Sequence, residues 1–222
     1  MEHPDGAAGA SGTPLLVACA LAIERFALRA GGRGVEAPGP VTVLRTGMGP
    51  AAAERAVTGA LGGGPLRGAA VVASGFCAGL RPGMHPGDLV VADGTRIVGD
   101  PSGATPCAGT EVLVKALADA LPGRTVHTGP LAGSDHVVRG AERAALCATG
   151  AIAVDMESAA TLLSAVRTGS RAVAAVRVVV DAPEHELLRI GTVRGGISAF
   201  RVLRAVLPAF FEWHRSLLLP RR

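Results

Sequence analysis

Residues 151–181 read AIAVDMESAATLLSAVRTGSRAVAAVRVVVD, and this stretch decides the fold class. Ala151 to Met156 is short and apolar, as a strand covered on both faces would be. Glu157 to Val166 carries apolar residues at helical spacing. Ala172 to Asp181 is a long Val-rich run, interrupted by Arg177 and ended by Asp181. A buried strand, a helix and a second buried strand predict an α/β fold, because parallel strands are covered on both faces by their crossover helices.

The same alternation extends outward in both directions. Leu15 to Leu21 (LLVACAL) reads as a buried strand. Val41 to Thr46 is a second, ending in Gly47-Met48-Gly49-Pro50, and Pro50 suits the first turn of a helix over Ala51 to Leu61. Ala69 to Ser74 is a third strand, running into Gly75-Phe76-Cys77-Ala78-Gly79-Leu80. Asp88 to Asp93 and Thr95 to Val98 read as two strands with a hairpin turn at Asp93-Gly94. Thr110 to Leu121 and Gly140 to Ala148 are helical, with a strand over Arg124 to Leu131 between them. Val193 to Leu219 reads as one long helix, broken or kinked at Pro208. The expected organisation is a disordered leader over 1–13, a single domain over 14–219 and a basic tail over 220–222. Its core is a mixed, mainly parallel sheet flanked by helices.

Composition excludes several classes. Of the 222 residues, 49% are hydrophobic and 18% charged, which argues for a globular chain that buries a core. The net charge of +4 comes from scattered arginines, with Lys115 the single lysine. No basic run has aromatic residues interleaved, so nucleic acid is not an expected partner. Cys19, Cys77, Cys107 and Cys147 are far apart, as buried thiols in a reducing cytoplasm would be. No zinc spacing occurs, and Glu184-His185-Glu186 are adjacent residues that would not converge on one ion, so no metal is expected. The apolar run Pro14 to Ile23 is too short to span a membrane.

In open α/β sheets ligands bind beyond the carboxyl ends of the strands. Glu24, Gly47-Met48-Gly49, Gly75 to Gly79, Glu157 and Asp181 all fall there. Breaking a purine ribosyl bond would need an acid on the leaving base, a carboxylate on the ribose hydroxyls and an activated nucleophile, and three separated carboxylates without a metal suit the version in which water attacks. Each has a plainer reading: a helix-start Glu for Glu24, an acid at a helix N-terminus for Glu157, and a turn-capping Asp for Asp181.

Val154-Asp155-Met156-Glu157-Ser158-Ala159-Ala160 resembles the ribose-binding segment of the purine nucleoside phosphorylase and methylthioadenosine/S-adenosylhomocysteine nucleosidase superfamily. By that resemblance Met156 packs under the sugar and Glu157 holds its hydroxyls. Asp181, 24 residues on, matches the Asp that serves N7 of the purine, with Val180 in place of a small polar neighbour. Ala20-Leu21-x-x-Glu24 matches the segment whose Glu activates water. Gly47-Met48-Gly49-Pro50 resembles the family's Gly-Ile-Gly turn and Gly75 to Leu80 its Gly-x-Ala-Gly-Gly-Leu segment, where glycines let the backbone approach a ligand, although Phe76-Cys77-Ala78 replaces small polar residues. His136 and Val137 fall where an aromatic and an Ile contact the base.

The resemblance implies a nucleoside phosphorylase-like fold and a homo-oligomer, with no cofactor. Within the superfamily the chain most resembles the hopanoid-associated nucleoside phosphorylases. That implies adenosylhopane, an adenine nucleoside carrying a triterpene at its 5′ position, as substrate, and hydrolysis as the reaction. Phosphorolysis remains the alternative, with Arg25, Arg45 and Arg177 as candidate phosphate ligands. A non-catalytic nucleoside-binding protein of the same fold is a further alternative. The tail from Phe200 to Leu219 is expected to line the 5′ pocket, with Trp213 and Arg221-Arg222 attaching a cytoplasmic enzyme weakly to the membrane.

Overall fold

A computed structural model describes residues 12–100, 103–182 and 192–219, with side chains except at 192–196. Most of the expected leader, Glu184-His185-Glu186 and the basic tail 220–222 lie outside the described residues. Among the described residues there are eight strands: β1 (Leu15–Cys19), β2 (Val41–Arg45), β3 (Ala70–Gly79), β4 (Leu89–Ile97), β5 (Thr105–Pro106), β6 (Val126–Gly133), β7 (Ala153–Asp155) and β8 (Val173–Asp181). Seven α-helices accompany them: α1 (Ala22–Gly31), α2 (Pro50–Leu61), α3 (Thr110–Ala120), α4 (Ala141–Ala148), α5 (Ser158–Arg167), α6 (Thr192–Ala205) and α7 (Leu207–Leu218).

The sheet runs in the order β2-β1-β3-β7-β6-β4-β5, and β8 pairs with both β3 and β4. Strands β3, β7, β6, β4 and β8 therefore close a ring, with β1 and β2 extending it. Parallel pairs predominate, and β3–β7, β4–β5 and β4–β8 are antiparallel. Alternation along β1 divides the core between the two faces of the sheet. Leu15, Val17 and Cys19 pack in a cluster with residues of α1, α3, α6 and α7. Leu16 and Ala18 turn the other way, into a cluster with residues of α2 and α5.

Two expectations are corrected. The third strand does not end at Ser74: residues 75–79 continue β3, because they pair with β8 from Gly75 to Ala78 and with β7 at Ala78 and Gly79. Asp93-Gly94 is not a hairpin turn. The strand β4 runs straight through it and absorbs the irregularity as a register shift against β6 between Ala92 and Thr95. The tail breaks close to Pro208 as expected: two helices meet at Val206, and Pro208 sits in the first turn of α7, where its missing N–H costs nothing.

Three of the tail's four aromatic residues do not reach the surface. Phe210, Phe211 and Trp213 are buried, and the Trp213 Nε1 donates to the Ala108 carbonyl at 2.7 Å. The expected Trp213 headgroup contact is therefore ruled out: α7 is a core helix packed on α3. No described helix is long and apolar enough to cross a membrane. Helices α1 and α6 meet closely at Gly31, where an added Cβ would lie 1.7 Å from the Arg204 carbonyl oxygen. The cysteines are free, and burial pushes the Cys19 and Cys107 thiols up to about 12, which leaves them unreactive.

Candidate active site

Glu24 lies in the first turn of α1 and is 2% exposed. Its Oε2 accepts the backbone N–H groups of Ala20 at 2.9 Å and Leu21 at 2.8 Å, and its Oε1 accepts that of Phe76 at 2.8 Å. The helix-capping function is thus real, but it engages one oxygen only. The other is carried across to β3. There Gly75 has φ +145°, and a Cβ on it would meet both Glu24 Oε1 and Arg177 Nη1 at 2.5 Å. A side chain at Gly75 would be excluded by strain and by collision, so glycine is what lets a carboxylate and a guanidinium face each other over this strand.

Arg177 belongs to β8 and is fully buried. Its Nε donates to Ser158 Oγ at 2.8 Å and lies 2.6 Å from Asp155 Oδ2. Its Nη1 has no hydrogen-bond partner among the described residues. Burial opposes its charge, but Asp155, Glu157 and Glu24 outweigh burial and hold its pKa above the ordinary value. Arg177 was a candidate phosphate ligand on sequence. Here its Nε is already committed to the protein, and Nη1 alone faces Glu24.

The string VDMES divides its labour. Asp155 Oδ1 accepts the Ser158 N–H at 3.1 Å, and its Oδ2 accepts the Ser158 hydroxyl at 2.5 Å, so Asp155 caps α5 and anchors Arg177. Glu157 is thereby released from capping, and its Oε1 accepts the Gly49 N–H at 2.8 Å. Gly47 and Gly49 both take φ +86°, which aims that amide inward from the end of β2. Met48, between them, is exposed.

Burial raises the Glu157 carboxyl above its ordinary value of 4.5, against the opposing pull of Arg177 and the Gly49 amide. A carboxyl raised in the folded state adds stability below its unfolded value, and that contribution is lost as pH rises through the raised value. Glu157→Gln is therefore expected to melt at a higher temperature than the parent at neutral pH, with the gap closing below about pH 4.5. Thermal scans at both pH values check this, and a variant that melts lower at neutral pH would refute it.

Asp181 ends β8. Its Oδ2 is 2.5 Å from Arg143 Nη2 of α4, and its Oδ1 is buried without a partner among the described residues. Arg143 was missed on sequence, although it is three residues before Leu146 and so shares the inward face of that helix. Asp155 and Ser158 were missed as well, since their function depends on a partner 19 or more residues away.

A recess of about 140 Å³ lies beside this cluster, bordered by Met156, Ala159, Ser134, His136 and Pro50 among others. His136 is half-exposed and is paired with Asp135 at 2.6 Å and Glu142 at 2.9 Å. Both carboxylates raise its pKa above the ordinary value. Val137 is exposed and does not border the recess. No group of three or more His, Cys, Asp or Glu side chains among the described residues could hold a metal ion.

Similar proteins agree with this architecture. The chain superposes on the methylthioadenosine/S-adenosylhomocysteine nucleosidase of Neisseria meningitidis, crystallised with methylthio-immucillin-A, with a TM-score of 0.75 and 19% identity, covering 90% of this chain and 99% of that one. The S-adenosylhomocysteine nucleosidase of Streptococcus pyogenes gives a TM-score of 0.73 at 19% identity, over 95% and 99% of the two chains. A Helicobacter pylori nucleosidase gives 0.72 at 16%, over 94% and 99%. At these identities the likeness is one of fold. No curated protein sequence matches the chain. The sequence model of the Phosphorylase superfamily, however, matches residues 33–207, from the end of α1 to the start of α7. That span takes in Gly49, Gly75, Glu157, Arg177 and Asp181, and the chain belongs to the Phosphorylase superfamily.

Proposed function

We propose that this protein hydrolyses the N-glycosidic bond of an adenine nucleoside. The reading rests on one observation: three carboxylates, Glu24, Asp155 and Glu157, surround the single guanidinium of Arg177. That cluster carries a net negative charge, which repels a phosphate dianion and suits a water molecule. Water attacks the anomeric carbon and gives its proton to Glu24, while the bond from that carbon to N9 breaks. Glu157 accepts hydrogen bonds from the ribose hydroxyls, and Met156 packs beneath the sugar. Asp181 delivers a proton from Oδ1 to N7 of the departing base. Arg143, on Oδ2, holds the carboxylate that remains.

The substrate class we infer is an adenosine with a large apolar 5′ substituent, adenosylhopane being the compound the VDMES segment suggests. Exposed Met48, beside Gly49, supports an apolar opening there. Val98 is exposed beside Met156 at the recess, and a second copy of the chain would cover it in a homo-oligomer. The setting is cytoplasmic. Phosphorolysis at the same site would need cations from outside the cluster. Arg25, one residue after Glu24, and Arg45, at the end of β2, are candidates for that role.

The test is to incubate the protein with adenosine, methylthioadenosine and a long-chain 5′-alkyl adenosine, with and without phosphate, and to identify the sugar product. Free ribose derivatives at equal rates in both buffers are expected. A strict phosphate requirement would replace hydrolysis by phosphorolysis, and no release of base from any substrate would reduce the protein to a nucleoside binder.

A further inference from the structure

Phe26 is 64% exposed in a chain that has only five phenylalanines and one tryptophan. Its ring stacks on that of Phe200, with centroids 6.4 Å apart. Ile23 on α1 and Ile197 on α6 are exposed on the same two helices, which pack against each other. At 100° per residue, the outward arc of α1 passes from Ile23 through Phe26 to Arg29 and Arg25. On α6 the outward residues are Ile197, Arg201 and Arg204. The only acid on α1 is Glu24, which is buried, and α6 contains none. Salt-bridge partners are absent for Arg25, Arg29, Arg201 and Arg204 among the described residues.

An open recess of about 440 Å³ adjoins this arc. Arg25, Arg29 and Arg33 line it together with apolar Val43, Leu207 and Phe211. Cationic heads beside an apolar lining match an amphiphile with a negative headgroup. We propose that the α1–α6 face docks on an anionic phospholipid bilayer. Ile23, Phe26, Ile197 and Phe200 enter the headgroup layer, and the arginines bind the lipid phosphates. The face begins at the carboxyl end of β1, where Glu24 enters the site, so docking sets the mouth of the site at the bilayer surface.

The full chain is sedimented with vesicles of phosphatidylcholine alone and of phosphatidylcholine with phosphatidylglycerol. Binding is expected to the anionic vesicles and to weaken with salt. Phe26→Ser is expected to weaken it about tenfold through lost apolar burial. Arg29→Gln and Arg201→Gln are expected to weaken it roughly fivefold each. All three residues lie outside the catalytic cluster, so unchanged melting temperatures certify the folds. Absence of binding by the intact chain, or equal binding by the variants, overturns the proposal. So does a dimer in sedimentation velocity that Phe26→Ser converts to monomer, because the face would then belong to a second copy.

Discussion

Asp181→Asn is expected to lower turnover of the best adenine nucleoside by about 10²–10⁴-fold, the range for a positioned proton donor. The amide cannot supply a proton to N7, so the base must leave as an anion. Its carbonyl can still accept from Arg143, which lies 2.5 Å from Oδ2 in the parent, so the fold is expected to survive. Binding should change less than turnover, because the lost interaction strengthens only as the bond breaks. A riboside whose leaving group needs no protonation, such as a nitrophenyl riboside, should be spared by the same substitution. Arg143→Met should cause a smaller fall, since it acts through Asp181. Near-normal turnover of the purine nucleoside by Asp181→Asn would remove Asp181 from the mechanism.

Arg177→Met is expected to destabilise the fold by about 3–5 kcal/mol, the cost of breaking a buried ion pair from one side. Arg177 is 1% exposed, and its loss leaves Asp155, Glu157 and Glu24 facing one another without a cation. The methionine fills much of the volume, so the loss is electrostatic and not a cavity. A second substitution, Asp155→Asn, should recover part of it, because the orphaned charge 2.6 Å from Arg177 Nε is then gone. Urea midpoints for the parent, both single variants and the double variant measure the coupling. A loss below about 1 kcal/mol for Arg177→Met would mean the cluster is solvated and the pair is worth no more than a surface one.

The strands and helices were legible in the sequence because their signals are local. Continuous apolar runs mark strands covered on both faces, and Pro50 and the tail break mark helix ends. The placement of Glu24, Glu157 and Asp181 near strand ends followed from the same local pattern. Where reading failed, the deciding contact was distant. Residues 75–79 read as lying just past a strand end, yet their ladder partners in β8 lie about a hundred residues on, and hydrogen bonding to both β7 and β8 holds them extended. Trp213 in α7 reads as a membrane contact, but an amphipathic helix does not say what its apolar face covers, and the apolar face of α7 covers the core.

What the sequence by itself determined is the α/β class, the order of elements and which carboxylates stand where strands end. What only the tertiary structure decided is which group each of them faces. Glu157 meets the Gly49 amide across 108 positions of chain, Glu24 meets Phe76 across 52, and Arg143 meets Asp181 across 38. Residue spacing encodes the direction of a side chain along its own element, through periods of two and 3.6 residues. The partner is set by strand order and register, which are fixed by how whole elements pack, and no period in the chain records them.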